Sequence, residues 1–139
     1  MPLGTKRWND PRSPDDGYRI LVCRHRPRGV RREDETWDAW WEHLAPSADL
    51  VAAYYGKRGP PLAWETYEAR YREEMSHRGF WIRGLVDRVE KGEMITLLCS
   101  SACTDPARCH RTVLADIVQT TIRAAAVTPP EKVSRRRRA

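Results

Sequence analysis

At 139 residues the chain has room for one compact domain and not for two ordinary ones. An apolar share of 40%, with six tryptophans and five tyrosines, fills a single core, and no run approaches the ~18–20 apolar residues that a membrane-spanning helix needs. The net charge of +6 is unevenly spread, because residues 127–139 set Lys132 and Arg135 to Arg138 against Glu131 alone. A folded domain over residues 1–126 and a basic, disordered tail over 127–139 are therefore expected. The domain holds one further cationic cluster, Arg24, Arg26, Arg28, Arg31 and Arg32.

Residues 1–17 are turn-rich, with three prolines and two glycines, and show neither a helical period nor the apolar core of a secretory signal. A cytoplasmic location is expected, where thiols stay reduced. Tyr18 to Cys23 reads as a strand, nearly continuous in apolarity, as in a sheet covered on both faces. Trp37, Trp40, Trp41 and Leu44 fall at helical spacing and predict a helix stopped by Pro46. Ser47 suits the N-cap of a short helix through Tyr54. After the loop at 56–61, Trp64, Tyr67, Tyr71 and Met75 mark another amphipathic helix. Ile82, Leu85, Val86 and Val89 mark a fourth, unless "FWIRG" at 80–84 is a strand. His43 and His77 fall at helix ends.

Met94 to Cys99 is the second clear strand. Asp105-Pro106 reads as N-cap and first residue of a last helix through Ile122. Strands separated by helices favour an α/β fold, a small parallel-stranded sheet flanked by helices in a single domain.

The chemistry-bearing stretch is "LLCSSACTDPARCHR" at 97–111, which holds three of the four cysteines. If the two strands are parallel, Cys23-Arg24 and Cys99 end on one edge of the sheet, where α/β folds bind ligands. Cys109 and His110 at a helix start have the surroundings of a reactive thiol and a proton carrier. Arg111, Arg24 and Arg28 are candidates to grip a phosphate or carboxylate. Cys23 and Cys99 would line the site. The C-x3-C-x5-C-H spacing lacks the paired ligands of structural zinc sites, so no metal is expected, and no motif requires a cofactor. A Cys99–Cys103 or Cys103–Cys109 redox pair stays open. Taken alone, Cys23 and Cys99 read as core residues, and Cys103 as incidental.

Several stretches resemble the YeaO-like proteins of the domain-of-unknown-function 488 family (DUF488). They are "KRWNDPRSPDDGYRILVCRHRPRG" (6–29), "WWEHLAPSADL" (40–50), "WETYEARYREEM" (64–75) and "MITLLCSSACTDPARCHRTVLADI" (94–117). The resemblance implies a small cytosolic α/β domain without an established activity. It departs from the family's usual "DRLWPRG", since Cys23 stands in place of an aspartate, His25 of a leucine and Arg26 of a tryptophan. A Phe-Gly-His-like loop is replaced by "YYGKRGPP", which lacks the histidine.

Three functions follow as expectations. The first is a thiol-dependent enzyme acting on a nucleotide or other phosphorylated small molecule. The second is a nucleic-acid-associated module using the arginine cluster and tail. The third is a redox-responsive protein.

Overall fold

The computed structural model describes residues 3–127; the expected basic tail lies outside them from residue 128 onward. Four strands, Leu3–Arg7 (β1), Tyr18–Leu21 (β2), Ala39–Trp40 (β3) and Ile95–Cys99 (β4), pair entirely in parallel in the order β1-β4-β2-β3. Four helices, Ala48–Tyr54 (α1), Trp64–Met75 (α2), Gly79–Glu90 (α3) and His110–Val127 (α4), complete the expected α/β domain.

Parallel register places Ile20 beside Leu97 and Leu21 beside Leu98, so alternate residues serve opposite faces. Ile20, Val22, Ile95 and Leu97 pack against Tyr71, Leu85 and Leu114 from the helices. On the other face Leu21 and Leu98 meet Trp37, with Trp8 and Val30 beside them. That face is covered by irregular chain rather than by helices. Both faces are thus dry, which accounts for the unbroken apolarity of β2 and β4.

Arg19 fastens the loop-covered face and is fully buried. Its Nη1 donates to Asp16, its Nε to the Thr36 carbonyl at 2.8 Å, and its Nη2 to the Trp8 and Asp10 carbonyls, each at 3.3 Å. Burial alone would raise the Asp16 carboxyl. Hydrogen bonds from Lys6, Ser13 and Arg19 outweigh burial and hold it well below its usual 3.8. Gly17 between them has φ +63°, and a Cβ there would sit 2.2 Å from the Met94 carbonyl oxygen. Only glycine fits that approach.

The structure corrects three expectations. The turn-rich N-terminus contains β1, paired with β4 from Leu3↔Ile95 to Arg7↔Cys99. Residues 37–44 form β3 and a three-residue 3-10 turn (Glu42–Leu44), not a helix. The open edge of β2 claims their backbone, because Asp38 N–H donates to Arg19 O and Trp41 N–H to Leu21 O. Trp37 and Leu44 then enter opposite sides of the sheet, and their helical spacing is coincidental. Finally, Asp105 caps only the 3-10 turn Pro106–Arg108, by accepting from Ala107 N–H at 3.0 Å. "FWIRG" lies inside α3.

Candidate functional site

Because all strands are parallel, β2 and β4 end on one edge. Val22 N–H donates to the Leu98 carbonyl at 3.0 Å, which holds Cys23 close to Cys99. Beyond Cys99 the chain turns at Ser100–Cys103, with Cys103 N–H on the Ser100 carbonyl at 3.0 Å. It passes through the 3-10 turn and straightens at Cys109 (φ −138°, ψ 140°) before α4 begins. The Cys109 carbonyl accepts the first helical bond, from Thr112 N–H at 3.1 Å, so Cys109 occupies the N-cap position.

This route folds three thiols together. Cys99 Sγ and Cys103 Sγ are 3.2 Å apart, and the sulfurs of Cys99, Cys103 and Cys109 all lie within 4.8 Å of one another. Cys99 and Cys109 are buried and Cys103 is half-buried. Three adjacent thiols cannot all ionise, and the negative charge settles on Cys103. Hydrogen bonds from Cys109 and Cys99 lower the Cys103 thiol from its usual 9.0, and the Arg111 charge adds to them. The same bonds to Cys103 push Cys99 and Cys109 up, and both keep their protons.

His110 is buried behind this cluster. Its Nε2 lies 2.7 Å from the Val22 carbonyl, and its Nδ1 lies 3.7 Å from Cys99 Sγ. A carbonyl cannot donate, so Nε2 carries the proton, and Nδ1 turns its lone pair toward the Cys99 sulfur, whose single thiol proton is given to Cys103. Burial lowers the imidazole below its usual 6.5 and keeps it neutral. Tyr71 packs edge-on against the ring at 5.4 Å and donates from its own hydroxyl to the Leu44 carbonyl.

The thiols line a cavity of about 520 Å³. Arg24, Arg28 and Arg108 line it from the cationic side, and Tyr54, Tyr55 and Tyr67 from the aromatic side. Tyr54 and Tyr67 are stacked with ring centres 4.3 Å apart, and burial raises the Tyr67 phenol and keeps it protonated. Arg24 gives Nε and Nη2 to the Pro46 carbonyl, both at 3.2 Å. Arg26 also reaches the cavity, but Glu35 holds its Nε and Nη2 at 2.9 and 2.7 Å. Arg28 and Arg108 have no side-chain partner among the described residues.

Of the residues singled out from the sequence, Cys23, Cys99, Cys109, His110, Arg24 and Arg28 all line this cavity. Arg111 does not. It is buried and donates from Nη1 to the Cys103 carbonyl at 3.3 Å, while its Nε has no partner among the described residues. Arg108 stands at the cavity in its place. Cys103, read from the sequence as incidental or as half of a redox pair, and the three tyrosines were not singled out as lining residues. The signal for Cys103 was its confinement between two other cysteines in a short loop, which any compact turn must bring together.

A family model described as the active DUF488-N3 subclade matches residues 3–122. The chain is 34% identical to the uncharacterized protein YeaO of Escherichia coli (strain K12) over 116 residues, 84% of this chain and 96% of that one. It is also 37% identical over 62 residues to the uncharacterized proteins Rv3073c of Mycobacterium tuberculosis (strain H37Rv) and Mb3100c of Mycobacterium bovis. Those matches cover 45% of this chain and 50% of each relative. No solved structure matches. No helix among the described residues is long and apolar enough to cross a membrane.

Proposed function

The chain belongs to the DUF488 family, and on that premise we propose that it is a thiol-dependent cytoplasmic enzyme acting on an anionic small molecule, a nucleotide or another phosphorylated compound. One observation carries the reading. Three thiols converge on a cavity that also presents arginines without carboxylate partners among the described residues.

The roles follow from the geometry. Arg28 and Arg108, assisted by the unbonded Nη1 of Arg24, hold the anionic group in forked hydrogen bonds. Cys103 is the nucleophile, because it is the least protonated of the three thiols and the less buried. Cys109, the thiol favoured by its place before a helix, donates to Cys103 instead. His110 positions Cys99 and accepts its proton when that thiol must ionise. The stacked Tyr54 and Tyr67 offer an apolar wall to the uncharged part of the substrate, which suits a nucleobase.

Iodoacetamide kinetics test this. At pH 6, Cys103 of the reduced protein should alkylate about tenfold faster than glutathione, since a lowered pKa raises the thiolate fraction. Inorganic phosphate should slow it. A Cys103 that reacts no faster than glutathione removes the nucleophile and the reading with it.

The 3.2 Å approach of Cys99 and Cys103 also favours a redox response. Two-electron oxidation by a peroxide would join these sulfurs, releasing both thiol protons and reducing the peroxide to water or alcohol and water. Intact mass after mild peroxide would fall by two hydrogens; an unchanged mass excludes it.

A further inference from the structure

We propose that Cys99, Cys103 and Cys109 form a three-thiolate site for one zinc-group cation, Zn²⁺ or Cd²⁺, with the fourth coordination position open to the cavity.

The sulfurs come from three separate anchors: the end of β4, the turn after it and the N-cap of α4. All lie within 4.8 Å of one another. Thiolates about 2.3 Å from a tetrahedral zinc ion stand roughly 3.8 Å apart. The Cys99–Cys103 separation of 3.2 Å must therefore open by about half an ångström, which the turn carrying Cys103 can supply. The spacing rules that speak against zinc describe ligands paired on short knuckles. Here the 3-10 turn and the extended Cys109 bring the third sulfur back by a different route.

Charge supports the assignment independently. Three thiolates around a divalent cation carry one net negative charge. The buried Arg111 guanidinium lies against this loop, with Nη1 on the Cys103 carbonyl and Nε without a partner among the described residues. Its charge already lowers the Asp10 carboxyl, and an ionised thiolate cluster adds a second negative neighbour on the side of the Cys103 loop. The donor set is sulfur only, which selects thiophilic ions over magnesium or calcium. His110 is not a ligand, since Nε2 is committed to Val22. Its Nδ1 beside Cys99 Sγ instead orients that sulfur, as outer-sphere groups do. Cys23 is close to Cys99 but stands outside the three-sulfur group.

The site stands on this geometry alone. Its consequence, that a coordinated Cys103 is no longer a nucleophile, rests on the thiol chemistry proposed above. The test is an anaerobic titration of the reduced, metal-free full-length chain with Cd²⁺, followed by thiolate-to-cadmium absorption and native mass. One ion per chain is expected. Cys103→Ser, a change in a surface turn, should weaken binding on the order of 100-fold through loss of one of three ligands. Cys23→Ser should change it less than threefold, a residue outside the coordination sphere. Absent binding in the wild-type chain, or a Cys103→Ser variant that binds as the wild type does, overturns the site. A tenfold loss in Cys23→Ser overturns it in favour of four thiolates. Iodoacetamide rates on the metal-free chain separate the two ideas. Slow alkylation with intact Cd²⁺ binding defeats the nucleophile and leaves the site, and fast alkylation without Cd²⁺ binding does the reverse.

Discussion

Two polar clusters sit on the same small sheet and differ in how completely they are satisfied. Around Arg19, the guanidinium donates to one carboxylate and three carbonyls, Asp16 accepts from three residues, and Gly17 supplies the one backbone shape that fits. Nothing is left over to bind a ligand. Around Cys99 the inventory does not close. Three thiols compete for one negative charge and, among the described residues, Arg111 Nε is unpartnered and Arg28 and Arg108 face a cavity without acids to meet them. Both clusters come from stretches that resemble one family, so a recognisable motif does not by itself separate scaffold from site. Hydrogen-bond satisfaction does.

The largest expected effect breaks the satisfied cluster. Arg19→Ala takes one of three partners from the buried Asp16 and the donors from the Trp8, Asp10 and Thr36 carbonyls, and should destabilise the fold by about 3–5 kcal/mol, the range for breaking a buried ion pair. Urea unfolding measures it. A loss below about 1 kcal/mol would mean that Lys6 and Ser13 suffice and that the clasp is not structural.

The opposite result is expected at the cavity. Arg28→Ala and Arg108→Ala should each change stability by less than about 0.5 kcal/mol, as surface substitutions do. Each should also weaken protection of Cys103 by phosphate roughly tenfold, the loss of a charge-assisted hydrogen bond. If protection survives in the double variant, the anion is not held there.

The smallest effect sharpens the comparison by pH. His110 is neutral in the fold and has its imidazole value lowered by burial, so below 6.5 the unfolded chain binds the extra proton first. His110's share of the resulting loss of stability as pH drops below 6.5 is at most about 1.4 kcal/mol per pH unit for its one proton, on top of a slope of the same sign from Cys103, whose thiol is lowered in the fold from its usual 9.0. Asp16 adds its own loss only at lower pH, beginning below 3.8, because its carboxyl is held down in the fold. The two windows are separate. His110→Gln should reduce the slope between pH 6.5 and 5 to the part that Cys103 contributes and leave the acid limb in place. Equal slopes in variant and wild type would show that His110 does not titrate on unfolding.

Much of this was legible in the sequence where one physical signal dominated. The continuous apolarity of β2 and β4 marked a sheet covered twice, and the Trp64–Met75 stripe marked α2. β1 was hidden because an edge strand with one buried residue, Leu3, carries no apolar pattern. β3 was hidden because backbone pairing with β2 overrode a chance helical spacing of tryptophans. The site was half legible for a related reason. A helix running from Pro106 would set one phase for residues 108–111. The break at Cys109 resets that phase, turning Arg108 to the cavity and Arg111 inward.

The parallel pairing of β2 with β4 carries a consequence in time rather than space. Cys99, Cys103 and Cys109 are close along the chain and can meet through short loop closures within microseconds. The cap on His110 comes from Val22, 88 positions away, and Arg24 and Arg28 arrive with it. Such distant contacts form late. A chain leaving the ribosome therefore holds its thiols together before the arginines and the imidazole reach them. The interval in which these cysteines are most open to mispairing falls during folding, and refolding yield should depend on reductant present from the first moment.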